Sequence, residues 1–326
     1  MHTPATKRIS QLVRILSTTW GFIDLNQLKN YNTGSPGTMT RVIVDRNAGF
    51  CAGVRRAIRG TEQLLSLESP GDRRVASYGQ LVHNREVTDD LFSRGLENME
   101  SPQDAKAGDQ VVLRTHGISP QEEQLLRCQG AELRDFTCPR VKRVHRQIRE
   151  KREAGYEIVI VGDPDHPEVR AHLGHAGESA MILSSVRDAR RVAKGRKIAV
   201  FAQTTITPDF YRNVVAALER RCPQISVVDS LCPFVLKRQR WIEKYSKTAD
   251  ASLILGGRNS SNTRKLHALA AGNGPAFHLS RAEELDVEKM LQYSMIALTA
   301  GASTSDQTIG EVLSRLQAAG ALIERR

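Results

Sequence analysis

The chain has 326 residues, 40% of them hydrophobic, which is enough for two or three ordinary domains with a buried core. Aromatic residues make up only 5%, and the absence of any run of about 18 apolar residues argues against a helical membrane span. The formal charge of +11 raises a nucleic-acid partner as a question, while the five cysteines pose another. They lie at 51, 128, 138, 222 and 232, odd in number and without C-x-x-C pairing, which speaks against a disulfide framework and for metal or catalytic use in a reducing compartment.

Residues 1–38 are rich in Ser, Thr, Lys and Arg, with no acid before Asp24. They read as a transit peptide or as an extension ahead of a later start at Met39; the second reading is preferred, with a disordered extension and a cytoplasmic protein. A transit peptide would place the protein in a plastid-type organelle. After Met39 the strand pattern Val42-Ile43-Val44 begins, and a strand-to-loop unit then recurs three times, each headed by one cysteine. Asn47-Ala-Gly-Phe-Cys51 leads into a helical pattern over 54–65, Asp135-Phe-Thr-Cys138-Pro139 into one over 141–151, and Asp229-Ser-Leu-Cys232-Pro233 into one over 235–244. The units are drawn as 39–137, 138–231 and 232–326.

In each unit a first apolar segment ends in a polar loop, at His83, His166 and Ser260, which follow their cysteines by 32, 28 and 28 residues. A second segment ends at His116, Thr204 and Ser303. Short apolar runs closed by Gly, Ser, Thr or His and alternating with helical patterns such as 208–221 mark parallel α/β units, whose ligands bind at the carboxyl ends of the strands. Three such units facing one another bring three cysteines and six polar loops to a common centre.

Three thiolates suit a 4Fe-4S cluster with one iron free of protein ligands, or a three-cysteine zinc site with a water, which could not supply electrons. Cys128 and Cys222 fall off the repeat register and are assigned to packing. His83, His116, His166, Ser260, Ser261, Asn262 and Ser303, with Glu168 as the one nearby carboxylate, form a donor set for an anion. A helix start at 259–263 adds backbone donors for phosphate. His145, His172, His175, His267 and His278 are given structural roles. Seven basic residues between Arg140 and Arg152 face one acid, Glu150, with no aromatic interleaving, so they read as a solvated helix face rather than a nucleic-acid platform. No dinucleotide or nucleoside-triphosphate motif occurs, so electrons come from a separate carrier protein.

At these residues the sequence resembles the 4-hydroxy-3-methylbut-2-enyl diphosphate reductases, the IspH or LytB family, over roughly residues 41 to 315. The matching motifs are Gly49-Phe-Cys51-Ala-Gly-Val54, Val82-His83-Asn84, Thr115-His116-Gly117, His166-Pro-Glu168-Val169, Gln203-Thr204-Thr205, Asn259-Ser-Ser-Asn262 and Thr299-Ala-Gly-Ala-Ser303. The resemblance implies a trefoil of three α/β domains around a central 4Fe-4S cluster on Cys51, Cys138 and Cys232. It implies that His83, His116, His166, Ser260, Ser261, Asn262 and Ser303 hold the substrate diphosphate, with Thr204 near the substrate hydroxyl and Glu168 as proton source. Ferredoxin or flavodoxin is the implied electron donor. One departure stands out: Cys232 is followed by Pro233-Phe234, where the family form has Ala-Thr soon after the cysteine, so a hydroxyl beside the third thiolate is lost. Burial beside a bound diphosphate is expected to raise the pKa of Glu168. Two rival readings remain at this point, an aconitase-like hydro-lyase and a basic RNA-binding protein with a structural cluster.

Overall fold

In the computed structural model, which describes residues 39–67 and 73–326, the repeat takes the form of three parallel sheets. The extension expected over 1–38 lies outside the described residues; residues 39–326 form one compact unit. One sheet has the order β3-β2-β4-β5, from β2 (Val75–Tyr78), β3 (Glu97–Met99), β4 (Gln110–Leu113) and β5 (Glu132–Asp135). The next repeats it as β7-β6-β8-β9, from β6 (Glu157–Val161), β7 (Met181–Leu183), β8 (Lys197–Ala202) and β9 (Gln224–Val227). The last has the order β11-β10-β12-β1-β13, from β1 (Arg41–Val44), β10 (Ala251–Leu255), β11 (Ala276–Leu279), β12 (Met295–Ala300) and β13 (Leu322–Arg325). Every strand pair among the described residues is parallel.

The helices are α1 (Ala52–Leu67), α2 (Arg85–Ser93), α3 (Pro120–Cys128), α4 (Pro139–Glu153), α5 (Pro167–Ala176), α6 (Pro208–Glu219), α7 (Pro233–Tyr245), α8 (Ser261–Ala271), α9 (Val287–Met290) and α10 (Asp306–Ala318). Five of them open on proline, whose fixed φ suits the first helical position and whose missing N–H is not needed there. The central strands β2, β4 and β10 are buried along their whole length and β6, β8 and β12 at all but the first residue, which explains their largely apolar reading: parallel strands are covered on both faces.

One pairing links the sheets into a ring. The N-terminal strand β1 does not join the strands that follow it; it runs beside β12, with Val42 opposite Ile296 and Val44 opposite Leu298. It occupies the place that β5 and β9 hold beside β4 and β8, so each cysteine follows the strand next to a second-segment strand. The helix after each cysteine then covers a different sheet. Val54, Ala57 and Ile58 of α1 pack on Val75 and Val112, Val144 and Ile148 of α4 on Ile158 and Ile160, and Ile242 of α7 on Ile254 and Ala297. A boundary drawn at each cysteine therefore leaves β1 with the unit after it in sequence, whereas its hydrogen bonds belong to the last sheet. No helix among the described residues is long and apolar enough to cross a membrane.

Candidate active site

Each cysteine is fixed by the same bond. The Cys138 amide donates to the Thr115 carbonyl at 3.0 Å, the Cys232 amide to Thr204 at 3.0 Å, and the Cys51 amide to Ala302 at 3.1 Å. The three acceptors lie in the loops after β4, β8 and β12, so the threefold relation extends to single hydrogen bonds. A Cβ on Gly53 would stand 3.0 Å from Cys138 Sγ, which is why the turn after Cys51 carries glycine. Burial raises the Cys138 and Cys232 thiols, and neighbouring thiols, Cys51 among them, add to the rise. The first amides of α4 (Arg140, Val141) and α7 (Phe234, Val235) oppose it, as helix N-termini do for thiolates. Three half-buried thiols with amides directed at their sulfurs suit a group that demands thiolates. Cys128 is exposed at the end of α3, and Cys222 is buried with its thiol donating to the Ala193 carbonyl. Pro233 occupies the same first helical position in α7 as Pro139 in α4, which gives this departure from the family form a backbone role.

Beside the thiols, one cavity is lined by His83, His116, His166, Glu168, Ser260, Ser261, Asn262 and Ser303, together with Val54, Val82, Thr115, Thr205 and Ala302. The six polar loops lie at the carboxyl ends of β2, β4, β6, β8, β10 and β12. In each sheet these are the adjacent strands between which the connections change direction, the switch point where open α/β sheets bind ligands. The His83, His116 and His166 rings approach with centroids 4.6, 5.3 and 5.2 Å apart, and one nitrogen of each lies within 4.8 Å of the others. His166 caps α5, its Nδ1 accepting from the Glu168 amide at 3.2 Å, so in the neutral ring the proton sits on Nε2. Ser260 caps α8 by accepting from the Thr263 amide, and Asn84 caps α2 while its side-chain amide donates to the Ser303 carbonyl at 2.9 Å.

Several polar atoms here are buried and find no hydrogen-bond partner among the described residues: His83 Nε2, His116 Nδ1, and both side-chain heteroatoms of Asn262. An unpaired buried polar group costs about 1–3 kcal/mol, so a cavity that gathers several is built around a polar ligand. Burial, with His166, Arg114 and Arg264 nearby, takes His83 down to about 4; burial also lowers His116 and His166, leaving all three neutral at pH 7. The guanidinium groups of Arg114 and Arg264 and the partly buried Lys265, brought down to about 8 by desolvation, give the cavity a positive surround that favours an anion, to which the neutral rings can donate.

Glu168 is set by its protein neighbours in the ligand-free site. Burial alone raises its carboxyl, but His172, His166 and the Thr204 amide outweigh it and take it down to about 2. The Thr204 amide donates to Oε1 at 2.5 Å and the Thr204 hydroxyl to Oε2 at 2.8 Å, tying the loops after β6 and β8 together. Other members of the site carry weaker sequence signals. Lys265, one turn into α8, donates to Ser261 Oγ at 2.9 Å, and Gln203 donates to Thr205 Oγ1 at 3.0 Å. Arg238 is buried in α7 and donates to the carbonyls of Asn47 (2.7 Å) and Gly49 (2.5 Å), securing the loop that carries Cys51.

Three parallel sheets whose strand ends gather three thiols beside a polar cavity define a threefold-pseudosymmetric α/β protein. The family model described as LytB protein matches residues 42–317, and the chain belongs to that family. It is 34% identical to the 4-hydroxy-3-methylbut-2-enyl diphosphate reductase of Caldanaerobacter subterraneus subsp. tengcongensis over 279 residues, covering 85% of this chain and 96% of that one. It is 34% identical to the enzyme of the same name from Aquifex aeolicus over 283 residues, covering 86% and 96%. Among solved structures it is similar to the E-1-hydroxy-2-methyl-but-2-enyl-4-diphosphate reductase from Plasmodium falciparum, with a TM-score of 0.82 and 28% identity over 89% of this chain and 92% of that one. These matches give no support to the hydro-lyase or RNA-binding readings.

Proposed function

We propose that the protein reduces (E)-4-hydroxy-3-methylbut-2-enyl diphosphate to isopentenyl and dimethylallyl diphosphate, the terminal step of the non-mevalonate isoprenoid pathway, as a cytoplasmic enzyme. The observation that carries this reading is the set of unpaired buried polar atoms on His83, His116 and Asn262 around a cavity two of whose lining residues, Thr115 and Ala302, accept from the Cys138 and Cys51 amides. Net, two electrons and two protons replace the allylic hydroxyl by hydrogen and release water. A 4Fe-4S cluster on Cys51, Cys138 and Cys232 supplies electron transfer and Lewis acidity when bound, and ferredoxin or flavodoxin supplies its electrons.

The protein's own residues do the rest. His83, His116, His166, Ser260, Ser261, Asn262 and Ser303 hold the diphosphate, with the free amides at the start of α8 adding to the charge match. That grip fixes the hydroxyl end of the substrate beside Thr204 and Glu168, so binding energy away from the breaking bond is used for positioning. Glu168 is ionised in the ligand-free site and must gain a proton before it can give one to the leaving oxygen. A diphosphate bound nearby pushes its pKa upward by like-charge repulsion, and the Thr204 hydroxyl stands between the carboxylate and the substrate.

Anaerobic purification with iron and sulfide analysis tests the cofactor: about four irons per chain and a brown colour are expected. Stoichiometric zinc without visible absorption would overturn it. Turnover of the diphosphate with methyl viologen under argon tests the reaction, and turnover without any reductant would return the hydro-lyase reading.

A further inference from the structure

A cycle of arginines closes the loops that carry the thiols. Each helix that follows a cysteine sends one guanidinium to carbonyls just ahead of the next cysteine. Arg56 of α1 donates to the Thr137 carbonyl at 2.6 Å, one residue before Cys138. Arg140 of α4 donates to the Asp229 and Leu231 carbonyls at 2.8 and 2.7 Å, ahead of Cys232. Arg238 of α7 returns to Asn47 and Gly49, ahead of Cys51, and completes the cycle.

The third member differs from the other two. Arg56 is exposed, and Arg140 is paired with Asp229 at 3.0 Å, which offsets its charge although its Nε has no partner. Arg238 is only 3% exposed; its Nε and Nη2 are used on the two carbonyls, and its Nη1 is buried with no hydrogen-bond partner among the described residues. Arginine does not give up its proton in proteins, so this is a permanent cation, and sealing one away from water is strongly unfavourable unless a negative group balances it. The negative groups that act on it are Cys51 first, then Asp45 and Cys232. Asp45 is already committed: one carboxylate oxygen accepts from the amide and side chain of Asn47 and the other from the Thr299 hydroxyl. That leaves the thiolates of Cys51 and Cys232.

We infer that Arg238 is the built-in counter-charge of the thiol centre: tied to the Cys51 loop by the Asn47 and Gly49 carbonyls, its guanidinium sets how readily the group held by the three thiolates takes up an electron. This rests on the reading of Cys51, Cys138 and Cys232 as the ligands of an iron-sulfur cluster. Thiolates make such a centre negative and each electron makes it more so, so a fixed positive charge nearby favours the reduced state, the more strongly for being shielded from water. A clamp for the loop needs only donors, whereas a buried charge with a donor left over needs an anion. Arg238 is a positioning residue; it acts through the thiols and not on the substrate.

The test is the midpoint potential of anaerobically purified holoenzyme, followed by visible absorption and EPR. Arg238→Gln removes the charge but keeps a side-chain donor, and it should make one-electron reduction about tenfold less favourable, a fall of about 59 mV. Arg238→Lys keeps the charge without the planar fork, and its shift should stay within about a third of that. An unmoved potential in Arg238→Gln, or equal shifts in the two variants, would reduce Arg238 to a loop clamp and overturn the inference. Should Arg238→Gln lose its iron, unmodified holoenzyme grown on guanidino-15N arginine decides. Pulsed EPR of the reduced centre should show a 15N coupling that Arg140→Lys leaves in place; no coupling, or one that vanishes with Arg140→Lys, sinks the proposal. Iron analysis of the unmodified protein separates the two ideas. Without iron the cluster reading fails and this inference with it; with about four irons and an unmoved potential, only the role of Arg238 fails.

Discussion

The thiol centre and the anion pocket share one frame but differ in symmetry. Around the thiols the three units match to the hydrogen bond: each cysteine amide reaches a carbonyl in the loop of a neighbouring second-segment strand, and two of the three following helices open on the same Cys-Pro pair. In the pocket the matching positions diverge. The loops after β2, β6 and β10 offer His83, His166 and Ser260, and those after β4, β8 and β12 offer His116, Thr204 and Ser303. Among the described residues lining the pocket, the one carboxylate is Glu168 of the middle sheet, joined to Thr204. A group that takes one thiolate from each side needs alike sides, whereas a reaction with one leaving group, one proton donor and one charged handle needs unlike ones. Repetition built the frame, and divergence of the loop ends built the chemistry.

If the thiol layer is symmetric in function as well as in geometry, Cys51→Ser, Cys138→Ser and Cys232→Ser should each lose the visible absorption and essentially all activity. Cys128→Ser and Cys222→Ser should keep both. Unequal losses among the three would break the comparison. In the unlike layer the effects should split by role. Glu168→Gln keeps the size of the side chain but cannot give up a proton, so kcat should fall roughly a hundredfold or more with KM little changed. Thr204→Val should follow it in kind, since the hydroxyl on Oε2 is removed. His83→Ala and Ser260→Ala remove contacts present before and during reaction, so each should raise KM by about tenfold, the equivalent of one hydrogen bond to a charged group, with a smaller fall in kcat.

The same layer sets a pH dependence. Glu168 titrates near 2 in the folded protein, below the ordinary 4.5, and His83 near 4, below 6.5. Both folded pKa values are depressed, so the unfolded chain binds more protons in these windows and stability must fall as pH falls. The His83 contribution is complete above about 6.5 and lost towards 4; the Glu168 contribution is complete above about 4.5 and lost towards 2. Melting temperatures from pH 7 down to 3 should decline in the unmodified protein, and His83→Gln should flatten the upper part of that decline. Pyrophosphate should instead raise the histidine pKa values, so calorimetry at pH 7 in buffers of differing ionisation enthalpy should show proton uptake on binding.

Much of this was legible along the chain because local patterns carry it. The central strands read as apolar runs because both faces are covered, the basic stretch 140–152 falls within α4 with Val141, Val144 and Ile148 inward and its charges outward except for Arg140, which donates to the Asp229 and Leu231 carbonyls, and the fold is the expected set of three α/β units. The cysteines and polar loops singled out by the repeat lie around one centre. What escaped the sequence depends on distant partners. Nothing local shows that β1 pairs with β12, more than two hundred residues away. His145, His172 and His175 are given structural roles from sequence, and only the packing of α4 on α5 brings the His145 ring 5.0 Å from that of His172 and 4.0 Å from that of His175. The ligand-free state of Glu168 is likewise set by distant partners: the imidazoles of His172 and His166 and the Thr204 amide outweigh its burial.

The smallest predicted effect concerns how electrons reach the symmetric layer. Helix α4 begins at Cys138, and Arg143 and Arg146 project from its exposed side within about 12 Å of helix rise from that cysteine. Arg140 and Lys142 are engaged with Asp229 and Asp135, and Arg146 makes an exposed i,i+4 pair with Glu150 that leaves it on the solvent side. A positive face this close to the thiols suits an acidic carrier such as ferredoxin or flavodoxin, because long-range attraction raises association rates more than final affinity. Reversing both charges, Arg143→Glu with Arg146→Glu, should therefore slow reduction by the carrier a few-fold at low salt, and the difference from the unmodified protein should vanish near 0.5 M salt, where screening is nearly complete. Activity with methyl viologen, a cation that gains nothing from the basic face, should be unchanged or slightly faster. An equal loss with both donors would mean that α4 was disturbed as a whole and that the carrier docks elsewhere.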